Sequence, residues 1–129
     1  MEKLNFFGKD AKFEHVGLVV SSINEAIKNS ETITDLTQKV SVAFVSINGI
    51  KIELIEPLEG DSPVIQSLQK GHKLLHICFK TPDIEASIKE ARNYGLHCIT
   101  RPVPAKAFDN NKIAWLYSSI YGLFELLEE

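Results

Sequence analysis

The chain states one pattern twice, and an internal repeat narrows the possible folds more than any single motif, because each copy must be one supersecondary unit of the same kind. His15-Val16-Gly17-Leu18 followed by Ser22-Ile23-Asn24-Glu25-Ala26-Ile27-Lys28 returns as His76-Ile77-Cys78-Phe79 followed by Asp83-Ile84-Glu85-Ala86-Ser87-Ile88-Lys89, at constant spacing. Val42-Ala43-Phe44-Val45 and Lys51-Ile52-Glu53-Leu54-Ile55-Glu56 return as Ile113-Ala114-Trp115-Leu116 and Leu123-Phe124-Glu125-Leu126-Leu127-Glu128, with one extra residue between the two pieces. Each copy opens on a histidine and closes on a glutamate. Two imidazoles and two carboxylates make a donor set suited to one divalent metal.

At 129 residues the chain has the length of one ordinary domain, able to bury about two thirds of its unfolded surface without disulfide staples. Fourteen Lys and Arg against seventeen Asp and Glu give a net charge of -3, with no basic run, so the footprint of a nucleic-acid binder is missing. Leu4-Asn5-Phe6-Phe7 is too short for the apolar region of a signal peptide, and no apolar stretch approaches membrane-spanning length. A soluble, cytoplasmic protein with neither nucleic acid nor membrane as partner is expected. The two cysteines, Cys78 and Cys98, lack the close spacing of a zinc or redox pair and are expected to be reduced and structural.

Residues 1–12 show no period and are expected to form a frayed lead-in. Residues 13–20 read as a strand, followed by Ser22 and Glu25 in capping-box relation and by Ile23, Ala26 and Ile27 at helical spacing. Residues 31–37 could hold a short polar strand. Residues 40–47 and 50–57 are apolar runs joined by Asn48-Gly49, the dipeptide that most readily supplies the positive φ angles of a tight hairpin. In the connector, Ser62-Pro63 offers an N-cap and a first-turn proline, and Gly71 can end a short helix running through Lys70. The second copy has a strand at 74–80, a helix starting at Thr81-Pro82 with Ile84, Ile88 and Ala91 as its buried stripe and Gly95 as its stop, and a strand at 97–100. Residues 102–111 are expected to be a loop, because Pro102 and Pro104 forbid a central strand. A hairpin of 112–117 with 123–128 closes the chain. The expected fold is therefore α+β: a single domain over residues 1–129, with two tandem βαβββ modules at about 13–57 and 72–129 and a connector at 58–71.

Strand side chains alternate between two faces. His15 shares its face with Gly17 and Val19, and His76 with Cys78, while Val16, Leu18, Val20, Ile77 and Phe79 lie opposite. Glu53 and Glu125 are flanked by Ile52, Leu54, Phe124 and Leu126, which point the other way. In the third strands Ser41, Ala43, Lys112 and Ala114 oppose Val42, Phe44, Ile113 and Trp115, and the match of Phe44 with Trp115 favours paired core roles. One sheet face suits helix packing and the other a cavity. A carboxylate within an apolar strand is costly unless it is paired, hydrogen-bonded or metal-bound. If a pseudo-twofold axis relates the copies, His15, His76, Glu53 and Glu125 can meet near it, and such a set suits Zn, Ni, Co, Mn or Fe(II). His72 and His97 have no repeat partners and are expected in loops or at the surface.

These residues resemble the duplicated βαβββ metalloenzymes of the vicinal oxygen chelate (glyoxalase/bleomycin resistance/dioxygenase) superfamily over about residues 13–128. His15-Val16-Gly17-Leu18, the run from Lys51 to Leu58, Asp61-Ser62-Pro63, Leu75-His76-Ile77-Cys78-Phe79 with Asp83-Ile84-Glu85-Ala86, and Leu123-Phe124-Glu125-Leu126 are similar to its methylmalonyl-CoA epimerase branch. The resemblance implies a curled mixed sheet around a metal-centred cavity, and one divalent ion (Co, Ni, Zn or Mn) held by His15, Glu53, His76 and Glu125. It implies an epimerase that moves a proton at a carbon next to a carbonyl, on methylmalonyl-CoA or a related acyl thioester, with Glu125 and Glu53 as its catalytic carboxylates. Glyoxalase I, acting on a thiol adduct as a lactoylglutathione lyase, shares the ligand order and is an alternative. A non-catalytic binder of the bleomycin-resistance type is a third, disfavoured by the complete ligand set. A homodimer is implied as well. The chain is shorter than the family pattern between Lys28 and Val40, and residues 102–111 replace a glycine-rich loop.

Overall fold

The computed structural model of this protein describes residues 1–28, 31–58, 62 and 65–129. It is a mixed α+β fold made mostly of strands, and it divides into two compact units that follow the repeat: residues 15–76, and residues 1–14 with 77–129.

The first unit takes in most of β1 (Lys12–Val19), α1 (Ile23–Ala26), β2 (Ile33–Asp35), β3 (Val40–Ile47), β4 (Ile50–Pro57), α2 (Ile65–Gln69) and the beginning of β5 (Leu74–Thr81). Its strand order is β2-β3-β4-β1-β5. The hairpin of β3 and β4 closes at Asn48 and Gly49 with φ of 49° and 86°, so the expected turn chemistry is present and Ile47 pairs with Ile50. Its core joins Ile23, Ala43, Ile52 and Leu54, with Val16, Leu18, Val20, Ile27 and Val45 packed around them. Helix α1 is a single turn: Ser22 caps it by accepting from the Glu25 N–H, and Ile27 is already extended at φ -142°. Only Ile23 of the expected apolar stripe is buried, and Ala26 is exposed. The polar stretch after it yields the three-residue β2. In the connector, helix α2 ends before Gly71 at φ 74°, while Asp61 and Pro63 lie outside the described residues.

The second unit adds the end of β5, α3 (Ile84–Ala91), β6 (His97–Cys98), β7 (Val103–Pro104), β8 (Lys112–Ser118) and β9 (Gly122–Glu128), in the order β5-β9-β8-β6 with β7 also on β8. Ile84, Ile88 and Ala91 of α3 are at most 5% exposed and pack on Leu96, Ala114, Leu116, Phe124 and Leu126. Burying each such branched side chain contributes about 1.5–3 kcal/mol. Gly95 closes the helical region at φ 78° after a 3-10 turn at Arg92–Tyr94.

Four expectations are corrected. Residues 1–12 are no frayed arm: Phe7 is 4% exposed within the core of the second unit, its ring 5.6 Å from that of Phe124, and the Ser87 hydroxyl donates to its carbonyl at 2.7 Å. An aperiodic stretch gives no pattern to read, yet two aromatic side chains are enough to anchor it. Helix α3 starts two residues later than Thr81-Pro82, because Thr81 completes β5 and Asp83 is the true N-cap, accepting from the Ala86 N–H. The strand expected at 97–100 is only His97 and Cys98. Within the loop expected at 102–111, Val103 and Pro104 pair with Ile113 and Lys112 at the sheet margin, where a proline costs no ladder bond, and a 3-10 turn follows at Lys106–Phe108.

Candidate metal centre

The ladders place the four candidate ligands. Strands β1 and β4 run parallel with Gly17 opposite Glu53, and β5 and β9 run parallel with Cys78 opposite Glu125. In both copies the glutamate thus stands beside the residue two past the histidine. The antiparallel partners agree, Phe44 facing Glu53 and Trp115 facing Glu125. The repeat read along the chain is therefore a repeat in sheet register.

Within the first unit three side chains converge. His15 Nε2 lies 3.3 Å from His76 Nε2 and 3.5 Å from Glu53 Oε1, and His76 Nε2 is 3.7 Å from the same oxygen. His15, His76 and Glu53 are 0%, 2% and 5% exposed. Each offers a ligand atom within 4.8 Å of the others. Glu125 belongs to the second unit, 2% exposed, at the position there that Glu53 holds in the first. His72 and His97 are exposed, as expected, and both cysteines are free thiols.

Two neighbours shape the histidine pair. The Phe44 ring stands edge-on to His15, with centroids 5.8 Å apart, and Lys51 lies over that ring at 4.7 Å. Gly17 is required by close approach: a Cβ there would stand 2.5 Å from Nδ1 and 2.9 Å from Nε2 of His76. Its missing side chain is the recess into which the His76 ring fits. The face comparison in the third strands thus runs opposite to bulk. Ala43 and Ala114, the small residues, lie on the helix side in the two apolar cores, while Phe44 meets His15 and Trp115 packs with Cys78, Ile113 and Leu127. Small residues on the helix side let the helices approach the sheet closely, and aromatic bulk walls the histidine side. No sequence signal separates these two uses of bulk.

The donor atoms fit a divalent ion. Ligands about 2.1 Å from one metal stand about 3.0 Å apart at right angles and about 3.4 Å apart in a tetrahedron, close to the 3.3–3.7 Å separations of His15, His76 and Glu53. Two imidazole nitrogens with a carboxylate are borderline donors that suit Zn, Ni, Co, Mn or Fe(II) over Ca or Mg.

Comparison with known proteins shows the family of the chain. Residues 14–115 match the model of the Glyoxalase/Bleomycin resistance protein/Dioxygenase superfamily. The uncharacterized protein YqjC of Bacillus subtilis (strain 168) is 33% identical over 115 residues, 81% of each chain. The mitochondrial methylmalonyl-CoA epimerase of Homo sapiens is 29% identical over 103 residues, which span 71% of this chain and 58% of that one. Among solved structures, hypothetical protein BH1468 from Bacillus halodurans C-125 superposes with a TM-score of 0.75 at 30% identity, covering 94% of this chain and 96% of its own. With a family model spanning most of its length, this chain belongs to the glyoxalase/bleomycin resistance protein/dioxygenase superfamily, the vicinal oxygen chelate fold.

Proposed function

We propose that the protein is a metal-dependent epimerase that exchanges a proton at the carbon between two carbonyl groups of an acyl thioester, methylmalonyl-CoA being the preferred substrate. The observation that carries this reading is the buried cluster of His15, His76 and Glu53, with Glu125 at the register-equivalent site of the second copy. The similarity to the human epimerase supports the substrate class. His15, His76, Glu53 and Glu125 form the ligand set for one Co, Ni, Zn or Mn ion. The chemistry such an ion supplies when bound is polarisation of two neighbouring substrate oxygens, which lowers the cost of the negative charge left when a carbon-bound proton departs.

The protein's own residues do the rest. His15 and His76 bind through Nε2, their rings set by Phe44 and by the recess at Gly17. Epimerisation needs one base and one conjugate acid on opposite faces of the carbon, and a duplicated carboxylate supplies both. Glu53 directs Oε1 at the histidines, and its carboxylate moves the proton on one face of the carbon. Glu125 handles the opposite face and is the stronger candidate for the first abstraction. Both carboxylates are buried, so within one turnover the proton leaves the carbon for one side chain and returns from the other, and the carboxyl protons exchange with solvent between turnovers.

A lactoylglutathione lyase reading uses the same four residues and is favoured by the glutamate at position 53. The test is a side-by-side assay of metal-loaded protein on methylmalonyl-CoA and on the glutathione hemithioacetal of methylglyoxal, in deuterated water. The expected result is deuterium incorporation at C2 of the thioester and no turnover of the hemithioacetal. Exchange that persists in the Glu53→Gln, Glu125→Gln double variant, with metal still bound, overturns the assignment of the bases.

A further inference from the structure

Each module contains a second glutamate three residues beyond the first: Glu56 after Glu53, Glu128 after Glu125. An odd separation in a strand puts the members of each pair on opposite faces, so Glu56 and Glu128 point toward the helices. Glu56 Oε1 accepts from the backbone N–H of Ile23 at 2.7 Å, and Glu128 Oε2 accepts from that of Ile84 at 2.9 Å. Ile23 and Ile84 are the first residues of α1 and α3, each eight residues past its histidine. The same long-range bond thus occurs twice, although the two helices differ in length and are capped by different residues, Ser22 and Asp83.

Helix capping alone does not explain these bonds. Ser22 and Asp83 already accept from the third residue of each helix, Glu25 and Ala86, in the local way that caps a helix N-terminus. The glutamates come from 33 and 44 residues away in sequence. What they join is the pair of strands that carry the ligands. In the first module, the bond ties the chain leaving β1, which holds His15, to the end of β4, which holds Glu53; the Val20 N–H, bonded to the Ile55 carbonyl at 2.9 Å, closes the same end. In the second module, it ties the chain leaving β5, which holds His76, to the end of β9, which holds Glu125. A slip of one residue between such strands would turn Glu53 or Glu125 to the helix side.

We infer that Glu56 and Glu128 are positioning residues: they lock the register of each histidine strand against its glutamate strand and so hold the metal-binding carboxylates at the correct depth. This rests on the metal-centre reading above. Cobalt(II) affinity and its visible absorption spectrum should be measured for the intact wild-type protein and for the Glu56→Ala, Glu56→Gln, Glu128→Ala, Ser22→Ala and Asp83→Ala variants. Loss of Glu56 or Glu128 is expected to weaken cobalt binding at least about 10-fold and alter the spectrum, as loss of an outer-shell partner does elsewhere. Glutamine keeps an acceptor oxygen and should restore both. Ser22→Ala and Asp83→Ala remove ordinary caps and should leave affinity within about twofold of wild type, because the side-chain bonds they delete lie within each helix, to the Glu25 and Ala86 amides.

Should the alanine variants not fold, the wild-type protein provides the second measurement. Coupling is reciprocal, so zinc should slow amide exchange at Ile23 and Ile84 at least about fivefold more than at Glu25 and Ala86. Equal cobalt behaviour in the glutamate and cap variants, or equal protection of the four amides, overturns the inference alone. A wild-type protein that binds neither cobalt nor zinc overturns the metal centre itself.

Discussion

The recess at Gly17 makes a sharp prediction. In Gly17→Ala the new methyl would stand 2.5 Å from His76 Nδ1 and closer still to Cε1, where ordinary contact begins at 3.4 Å, so the ring must retreat by about 1 Å or the strand must bend. His76 is 2% exposed, and His15 and Glu53, the groups beside its Nε2, are equally enclosed. Overpacking of this kind typically costs about 1–3 kcal/mol. The second effect is on the site. With Nε2 of His76 already 3.7 Å from Glu53 Oε1, a ring displaced by most of an ångström leaves the spacing that one ion can span, and cobalt affinity should fall at least about 10-fold. Urea unfolding in the presence of a chelator measures the first effect and calorimetric titration with cobalt the second. Urea midpoint and cobalt affinity both indistinguishable from wild type would refute the close-packing argument, since the methyl would then have found room that this geometry denies it.

Two further outcomes follow from the same geometry. Cobalt or nickel at about 100 times its dissociation constant should stabilise the protein by about 2.7 kcal/mol. For a chain of this length that raises the melting temperature by about 10 °C; a chelator should reverse the shift, Glu53→Gln should remove most of it, and superimposable melts with and without metal would exclude binding. Phe7→Ala should destabilise the protein by about 3 kcal/mol, because the ring is 4% exposed against Phe124 and Phe79; a change below about 0.5 kcal/mol in chemical denaturation would mean that the N-terminal segment is as loosely held as its sequence suggests.

The sequence by itself determined the features that depend on local rules. Alternation and the Asn48-Gly49 dipeptide defined β3 and β4 to the residue at both ends, because strand faces and hairpin turns are set by neighbours a few residues apart. The repeat identified His15, Glu53, His76 and Glu125 as equivalent pairs, and the parallel ladders return that equivalence as the same register, histidine plus two beside glutamate. Helix α3, with its stripe of Ile84, Ile88 and Ala91 and its stop at Gly95, was legible for the same reason.

Tertiary structure decided what depends on distant partners. The placement of Phe7 in a core, the helix-side position of Ala43 and Ala114, and the meeting of Phe44 with His15 are packing outcomes, which periodicity cannot assign because it separates two faces without saying what covers each. The same holds for Gly17, whose need for a bare Cα comes from an imidazole 59 positions further along the chain. Glu56 and Glu128 were visible in the sequence as the closing residues of each copy, but the backbone amides they hold lie 33 and 44 residues away. Local chemistry wrote the strands and marked the ligands; only the folded chain brought two histidines and a carboxylate to within 3.3–3.7 Å of one another.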